Sequence, residues 1–231
     1  MEIKAQNQGS SESKGEIVVG VLALQGAFIE HVEIFENLGI KVQQVRLPQD
    51  LEGLTGLVIP GGESTAIGLI ADRWGLTEPL QSWVKAGRPT WGTCAGMIML
   101  SKTVTGKMKE GQMVLGGLDT VVHRNFFGSQ LGSFVADVKV QNISGEVFKE
   151  KSSCQAVFIR APIIKEHGES VKVLATIKDP TLGSVEADAT AATAESIVAV
   201  QQGNLLATSF HPEMTSDTRW HEYFVHMIKQ L

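Results

Sequence analysis

Cysteine is scarce in this sequence: Cys94 and Cys154 are the two cysteines among 231 residues, too few for a scaffold held by disulfides. No apolar run approaches the roughly 20 residues that a membrane-spanning helix needs. Basic charge is also short, with 20 Lys+Arg against 25 Asp+Glu and a formal net charge of −5. Such a field repels phosphate backbones and anionic lipid, so neither nucleic acid nor a membrane surface is an expected partner. Internal repeats are missing as well. What is present is ordinary globular composition, 43% hydrophobic and 19% charged, enough to bury the core of one large α/β domain.

Residues 1–16 are rich in Ser, Glu, Gln, Lys and Gly, and ordering them would cost entropy without burying surface, so a flexible tail is expected. The stretch has neither the apolar core of a secretory signal nor the arginines of a transit peptide, which makes the cytoplasm the expected compartment. Reducing thiol pools there disfavour a bridge between Cys94 and Cys154. Each cysteine must then be either core or nucleophile.

From residue 17 onward the chain reads as one domain. Residues 17–24 form a nearly continuous aliphatic run, the pattern of a strand buried on both faces of a parallel sheet. Phe28, Val32 and Phe35 then recur at helical spacing, and Gly39 stands where that helix should stop. Strands are expected at 42–47 and 57–60, the latter ending in Gly61-Gly62. Strand, helix, strand opens a doubly wound sheet. Ser64 is placed to cap a helix running towards Trp74, and a second helical stretch around 80–86 ends at Gly87. A short strand at 89–91 leads through Gly92-Thr93-Cys94-Ala95-Gly96 into a buried helix at 97–100. Beyond Thr103 the texture becomes β-rich, with strands expected at 113–115, 133–140, 154–159 and 171–177. Residues 181–195, mostly Ala, Thr, Asp and Glu, read as an exposed insertion. Strands at 196–201 and 204–210 flank a turn at Gln202-Gly203, and a final helix from Asp217 carries Trp220, Phe224 and Leu231 on one face.

The pentapeptide Gly92-Thr93-Cys94-Ala95-Gly96, between an apolar strand and an apolar helix, is a cysteine version of the G-x-S-x-G nucleophile elbow. Side chains at positions 92 and 96 would collide with the adjoining strand and helix, hence the glycines. In such an elbow the backbone N–H of the following residue, Ala95, helps to bind an oxyanion. A thiol of ordinary acidity, pKa about 8.5, is only a few per cent ionised at neutral pH, so a helix N-terminus and a base are useful neighbours. His211-Pro212-Glu213 supplies the base if the segment is extended, because i and i+2 then project to one side. The imidazole suits both proton removal and later proton return, while the carboxylate holds its other nitrogen. Gly61-Gly62 at a strand end offers bare N–H groups for an oxyanion, at the carboxyl edge where open sheets bind ligands.

Gly20-Val-Leu-Ala-Leu-Gln-Gly26, Pro60-Gly-Gly-Glu-Ser-Thr65, Trp91-Gly-Thr-Cys-Ala-Gly96, His123-Arg-Asn-Phe-Phe-Gly128, Phe158-Ile-Arg-Ala-Pro162 and Ser209-Phe-His-Pro-Glu213, in this order, resemble the glutaminase subunits of pyridoxal 5′-phosphate synthases. These are class I glutamine amidotransferases. The resemblance spans nearly all of 17–231 and implies a flavodoxin-like α/β domain, with helices flanking a mostly parallel central sheet. It further implies Cys94 as nucleophile, His211 as base and then acid, and Glu213 as its orienting partner. Gly62, Glu63 and Ser64 would bind L-glutamine, Arg124, Ile159 and Arg160 would contact it, and the Gly61-Gly62 peptide would complete the oxyanion hole after reorienting. The implied partner is a β/α-barrel synthase subunit that receives the ammonia and orders the oxyanion loop on docking.

Two other readings use the same residues: a glutaminase of a different amidotransferase or a γ-glutamyl hydrolase, and a regulatory module that kept the fold without the activity. Gln25 could reach the site or the partner, or serve only the turn after the first strand. No Cys or His spacing matches a zinc site, so neither metal nor cofactor is expected, and His31, His221 and His226 fall on helix faces. Cys154, Trp74, Trp83 and Trp220 read as packing residues.

Overall fold

The computed structural model describes residues 15–106, 113–126, 132–143, 145–150, 152–178 and 195–231. Nearly all of the expected tail and insertion lie outside these, although Glu195 proves to be the first residue of a strand. The first aliphatic run forms β1 (Val18–Leu22), followed by α1 (Phe28–Asn37) and β2 (Lys41–Val45). After them come β3 (Gly56–Ile59), α2 (Ser64–Arg73), α3 (Thr77–Lys85), β4 (Thr90–Thr93) and α4 (Ala95–Leu100). The second half holds β5 (Ser101–Thr105), β6 (Leu118–His123), β7 (Ser133–Val140), β8 (Ser153–Ile159), β9 (Ile163–His167) and β10 (Lys172–Lys178). It closes with β11 (Glu195–Gln202), β12 (Leu205–Thr208) and α5 (Arg219–Lys229).

Strand order in the main sheet is β2-β1-β3-β4-β12-β11-β10-β7-β8. The pairs from β2 to β12 are parallel and those from β12 to β8 antiparallel. Alternation along each parallel strand feeds two cores, as a sheet buried on both faces requires. Val19, Val21, Val58 and Trp91 point towards α1 and α5, where Phe35, Trp220 and Phe224 meet them. Leu22, Leu57 and Ile59 point the other way, towards Ile67, Trp83 and Met97 on α2, α3 and α4.

Several local expectations need correction. Residues 113–115 form no strand; Leu115 N–H instead donates to Met99 O at 2.7 Å, tying a loop to the end of α4. Strands β5, β6 and β9, joined in that order and attached to β11 through β9, carry too many polar residues to read as strands in isolation. Glu63, not Ser64, caps α2, its Oε1 accepting from Thr65 N–H at 3.2 Å. The β11–β12 turn is Gly203-Asn204, with Gly203 at φ +54° in the first central position of a two-residue loop, where glycine is the undemanding choice. Trp74 is 54% exposed just past α2 rather than packed.

Candidate active site

Parallel neighbours bring the motifs together. Ile59 pairs with Gly92 and Thr208 with Thr93, so β3, β4 and β12 all release their chains at one edge of the sheet. Gly61-Gly62 leaves the first, Cys94 the second and the Ser209–His211 segment the third. This is the carboxyl edge that open parallel sheets use for ligands.

Cys94 occupies a strained turn, with φ +46° and ψ −97°, of the kind that costs about 1–3 kcal/mol and persists only where the surroundings impose it. Those surroundings are tight. Its N–H donates to Thr208 O at 2.8 Å. A Cβ on Gly92 would lie 2.4 Å from Gly96 C, and one on Gly96 would lie 2.1 Å from Ile59 O, so strand and helix approach each other only because both positions are glycine. The sulfur is 3.9 Å from Ile159 O and lies close enough to the His211 side chain to shift its pKa.

His211 N–H donates to Val157 O at 2.8 Å, anchoring the residue to β8. The following segment is not the extended one in which positions i and i+2 share a side. Pro212–Met214 is a turn of 3-10 helix that starts with Pro212, whose missing N–H is no loss at that position. The turn nevertheless directs Glu213 back onto its neighbour, with His211 Nδ1 and Glu213 Oε1 2.7 Å apart. Both side chains are buried. Burial alone would lower the imidazole pKa, but the neighbouring Cys94 side chain, the hydrogen bond to Glu213 and the charges of both outweigh it and push it up to about 10. The ring therefore holds its proton at neutral pH.

The other predicted residues are arranged around this core. A Cβ on Gly61 would meet His211 Cε1 at 2.3 Å, so that glycine lies directly against the imidazole. Gly61 O accepts from Ala27 N–H at 3.0 Å, and Gln25 Oε1 accepts from Glu63 N–H at 2.8 Å; Gln25 thus fastens the Gly62–Glu63 segment from the neighbouring loop. Arg124 Nη2 stands 3.5 Å from Glu63 Oε1, which pairs two of the predicted substrate contacts with each other. Ser64 and Ala95 are buried at the starts of their helices. Arg160 follows Ile159 at φ +44° with an exposed side chain. Of the His123–Gly128 motif, the last two positions lie outside the described residues.

Two residues at the site were not foreseen. His31 on α1 and His221 on α5 are fully buried behind Glu213, with His31 Nε2 3.3 Å from Glu213 Oε2. A histidine set into the apolar stripe of each helix was the available signal, but nothing in one sequence says that the two stripes meet. Among the described residues no group of His, Cys, Asp or Glu is arranged to hold a metal ion, and no helix is long and apolar enough to cross a membrane. Cys154 is buried in the core, free, with the Trp220 indole N–H 3.4 Å from its sulfur.

Comparison with known proteins points the same way. Residues 21–230 match the SNO glutamine amidotransferase family. The pyridoxal 5′-phosphate synthase subunit PdxT of Herpetosiphon aurantiacus is 46% identical over 209 residues, which is 90% of this chain and 99% of that one. A protein of the same name from Dehalococcoides mccartyi is 44% identical over 211 residues, 91% of this chain and 97% of its own. A crystal structure of a glutamine amidotransferase superposes with a TM-score of 0.75 at 42% identity, covering 91% of this chain and 98% of the other. A chain of PurLQS from Thermotoga maritima shares the fold at 15% identity, with a TM-score of 0.56 over 94% of this chain and 99% of that one. With its sheet order, its strained cysteine turn and a match across nearly its whole described length, the chain belongs to the SNO glutamine amidotransferase family.

Proposed function

We propose that this chain is the glutaminase subunit of a pyridoxal 5′-phosphate synthase, acting in the cytoplasm, with 17–231 as its glutaminase domain. The observation that carries this reading is the buried line of Cys94, His211 and Glu213 at the carboxyl edge of the sheet. In the proposed reaction the Cys94 sulfur, its proton taken up by His211, attacks the side-chain amide carbon of L-glutamine as a thiolate. The oxyanion that forms is met by backbone N–H groups of Ala95 and of the Gly61-Gly62 peptide. Collapse breaks the C–N bond, His211 gives its proton to the departing nitrogen, and ammonia leaves behind a γ-glutamyl thioester. Water then loses a proton to His211 and attacks the thioester, which releases glutamate and restores the sulfur. Glu213 orients the imidazole and stabilises its charged form throughout.

Glutamine carries an ammonium and a carboxylate, so its pocket needs both an acceptor and donors. Glu63, Arg124 and Arg160 supply those charges, and Gly62, Ser64 and Ile159 supply the backbone and hydroxyl contacts around them. The Gly61 carbonyl is engaged by Ala27 N–H, and turning that peptide to aim its N–H at the oxyanion means giving up this bond. Docking of the synthase would provide the driving force. Ammonia released to water at neutral pH mostly protonates and loses its nucleophilicity, which favours direct transfer to a β/α-barrel synthase subunit. Relatives carrying the synthase-subunit name support that partner.

Glutamate release measured with and without the synthase, for the unaltered chain and for Cys94→Ala, tests the proposal. Synthase-stimulated turnover that vanishes with Cys94 is expected. Full turnover without the synthase would favour a free γ-glutamyl hydrolase, and none under either condition a regulatory module.

A further inference from the structure

Glu213 presents its two oxygens to two different histidines. Oε1 faces His211 Nδ1 at 2.7 Å, and Oε2 lies 3.3 Å from His31 Nε2, with the carboxylate and the His31 ring both fully buried. Among the described residues Oε2 makes no hydrogen bond of good geometry, and His31 Nε2 is the nitrogen that faces it. Behind it, His31 Nδ1 is 2.9 Å from His221 Nε2. The rings of Trp91 and Phe35 pack edge-on against this pair, leaving it in apolar surroundings.

Proton counting fixes the tautomers. Both imidazoles are neutral, because burial, followed for His31 by the neighbouring histidines, drives its pKa well below the ordinary value, and burial takes His221 to about 3. A neutral ring carries one N–H. If His31 donated through Nδ1, His221 would have to carry its proton on Nδ1, a buried atom with no hydrogen-bond partner among the described residues. His31 would then turn a bare lone pair towards the Glu213 carboxylate. In the opposite arrangement His221 Nε2–H donates to His31 Nδ1, and His31 Nε2–H reaches Thr93 Oγ1 at 3.4 Å with the charged Glu213 Oε2 3.3 Å from the same nitrogen. Only a lone pair at His221 Nδ1 is left unmatched. Buried orphan N–H groups are rarer than unmatched acceptors, and a buried carboxylate is stabilised by any donor it meets, so the second arrangement prevails.

We infer that His31 is a positioning residue: its Nε2–H, set by His221, holds Glu213 Oε2 so that Oε1 stays on His211. The inference rests on the glutaminase reading and extends it, since α1 and α5 would fix the carboxylate from behind while β12 and the turn after it carry it from in front. Outer hydrogen bonds of this type commonly change activity by roughly 10- to 100-fold in metal sites, where they are best measured, and a comparable loss is expected here.

Two measurements on the full chain test it. In ¹⁵N-histidine NMR, His31 and His221 are expected as neutral Nε2–H tautomers that do not titrate between pH 6 and 8; an Nδ1–H tautomer at His31, or titration at an ordinary imidazole pKa, would overturn the inference. In the synthase complex, His31→Leu should lower kcat by roughly 10-fold or more with KM within about 2-fold, and His31→Gln, whose amide N–H can stand where Nε2–H stood, should recover most of the loss. Equal impairment of the two variants, or none in either, contradicts it. The NMR result stands whether or not the leucine variant folds, and unaltered-chain turnover measured alongside reads the glutaminase assignment separately.

Discussion

Cys94 stands between two very different walls. On its inner side are His211 bonded to Glu213 and His31 bonded to His221, all four buried and backed by Trp91, Phe35 and Phe224. On its outer side are Glu63, with 41% of its side chain exposed, Arg124 at 13% and 3.5 Å from it, and the exposed Arg160, on loops that follow β3, β6 and β8. Proton handling needs groups that cannot move, and packing supplies that. Recognition of a small amino acid needs charges that can meet water before they meet the ligand, and loops supply those. Changes to the inner wall should therefore act on kcat and on stability, and changes to the rim on KM.

The largest expected effect is at the sulfur. Cys94→Ala should reduce glutamate release by at least roughly 10³-fold, as loss of a nucleophile does elsewhere, while a thermal melt stays within a few degrees of the unaltered chain. Next is the dependence of stability on pH, which separates the inner histidines from His211. The folded pKa values of His31 and His221 are depressed, so their contribution is complete above the unfolded value near 6.5 and is lost as pH falls. Each adds a slope approaching about 1.4 kcal/mol per pH unit. For His221 that loss runs down to about pH 3. His211 has the opposite sign: its folded pKa is raised to about 10, so its contribution is complete below 6.5 and is lost as pH climbs towards 10. Urea titrations across pH 4–10 should show a maximum near neutrality, and replacing His221 with Phe should flatten the acid limb but not the alkaline one.

A smaller effect is expected at Gly61, where an added Cβ would press on His211 Cε1 at 2.3 Å and Nδ1 at 2.8 Å. Its backbone lies outside the left-handed region, so Gly61→Ala should fold and lose roughly 10- to 100-fold in kcat through displacement of the ring. The smallest is on the rim: Arg124→Ala should raise KM for glutamine by roughly 10-fold and leave kcat nearly unchanged, as expected for one charged hydrogen bond in partial contact with water. A kcat effect there equal to that of Gly61→Ala would erase the distinction between the walls.

The inner wall was partly legible in the sequence and the rest of it was not, for physical reasons. Continuous aliphatic runs identify β1 and β3, and Gly-x-Cys-x-Gly identifies the strained turn, because those signals are local. The link between Cys94 and His211 is not local; it depends on β12 lying beside β4, and the resemblance supplied it before the strand order did. His31 and His221, 190 positions apart, read only as helix-face residues because each is meaningful only against the other. Strands β5 and β9 escaped notice because Lys102, Thr103, Lys165 and Glu166 break the apolar pattern where pairing, not burial, holds the strand. The segment at Pro212 reads as extended because proline is excluded from helix interiors, but that exclusion does not reach the first turn, where Pro212 stands.

The claim on which the account turns is that the Cys94 sulfur attacks the amide carbon of glutamine. Incubating the synthase complex with a diazoketone analogue of glutamine, then mapping the modified peptide by mass spectrometry, tests it directly. Stoichiometric labelling of Cys94, slowed by glutamine and matched by loss of activity, is predicted. Inactivation with the label on Cys154 or any other residue, or sustained turnover by an enzyme fully labelled at Cys94, would contradict it.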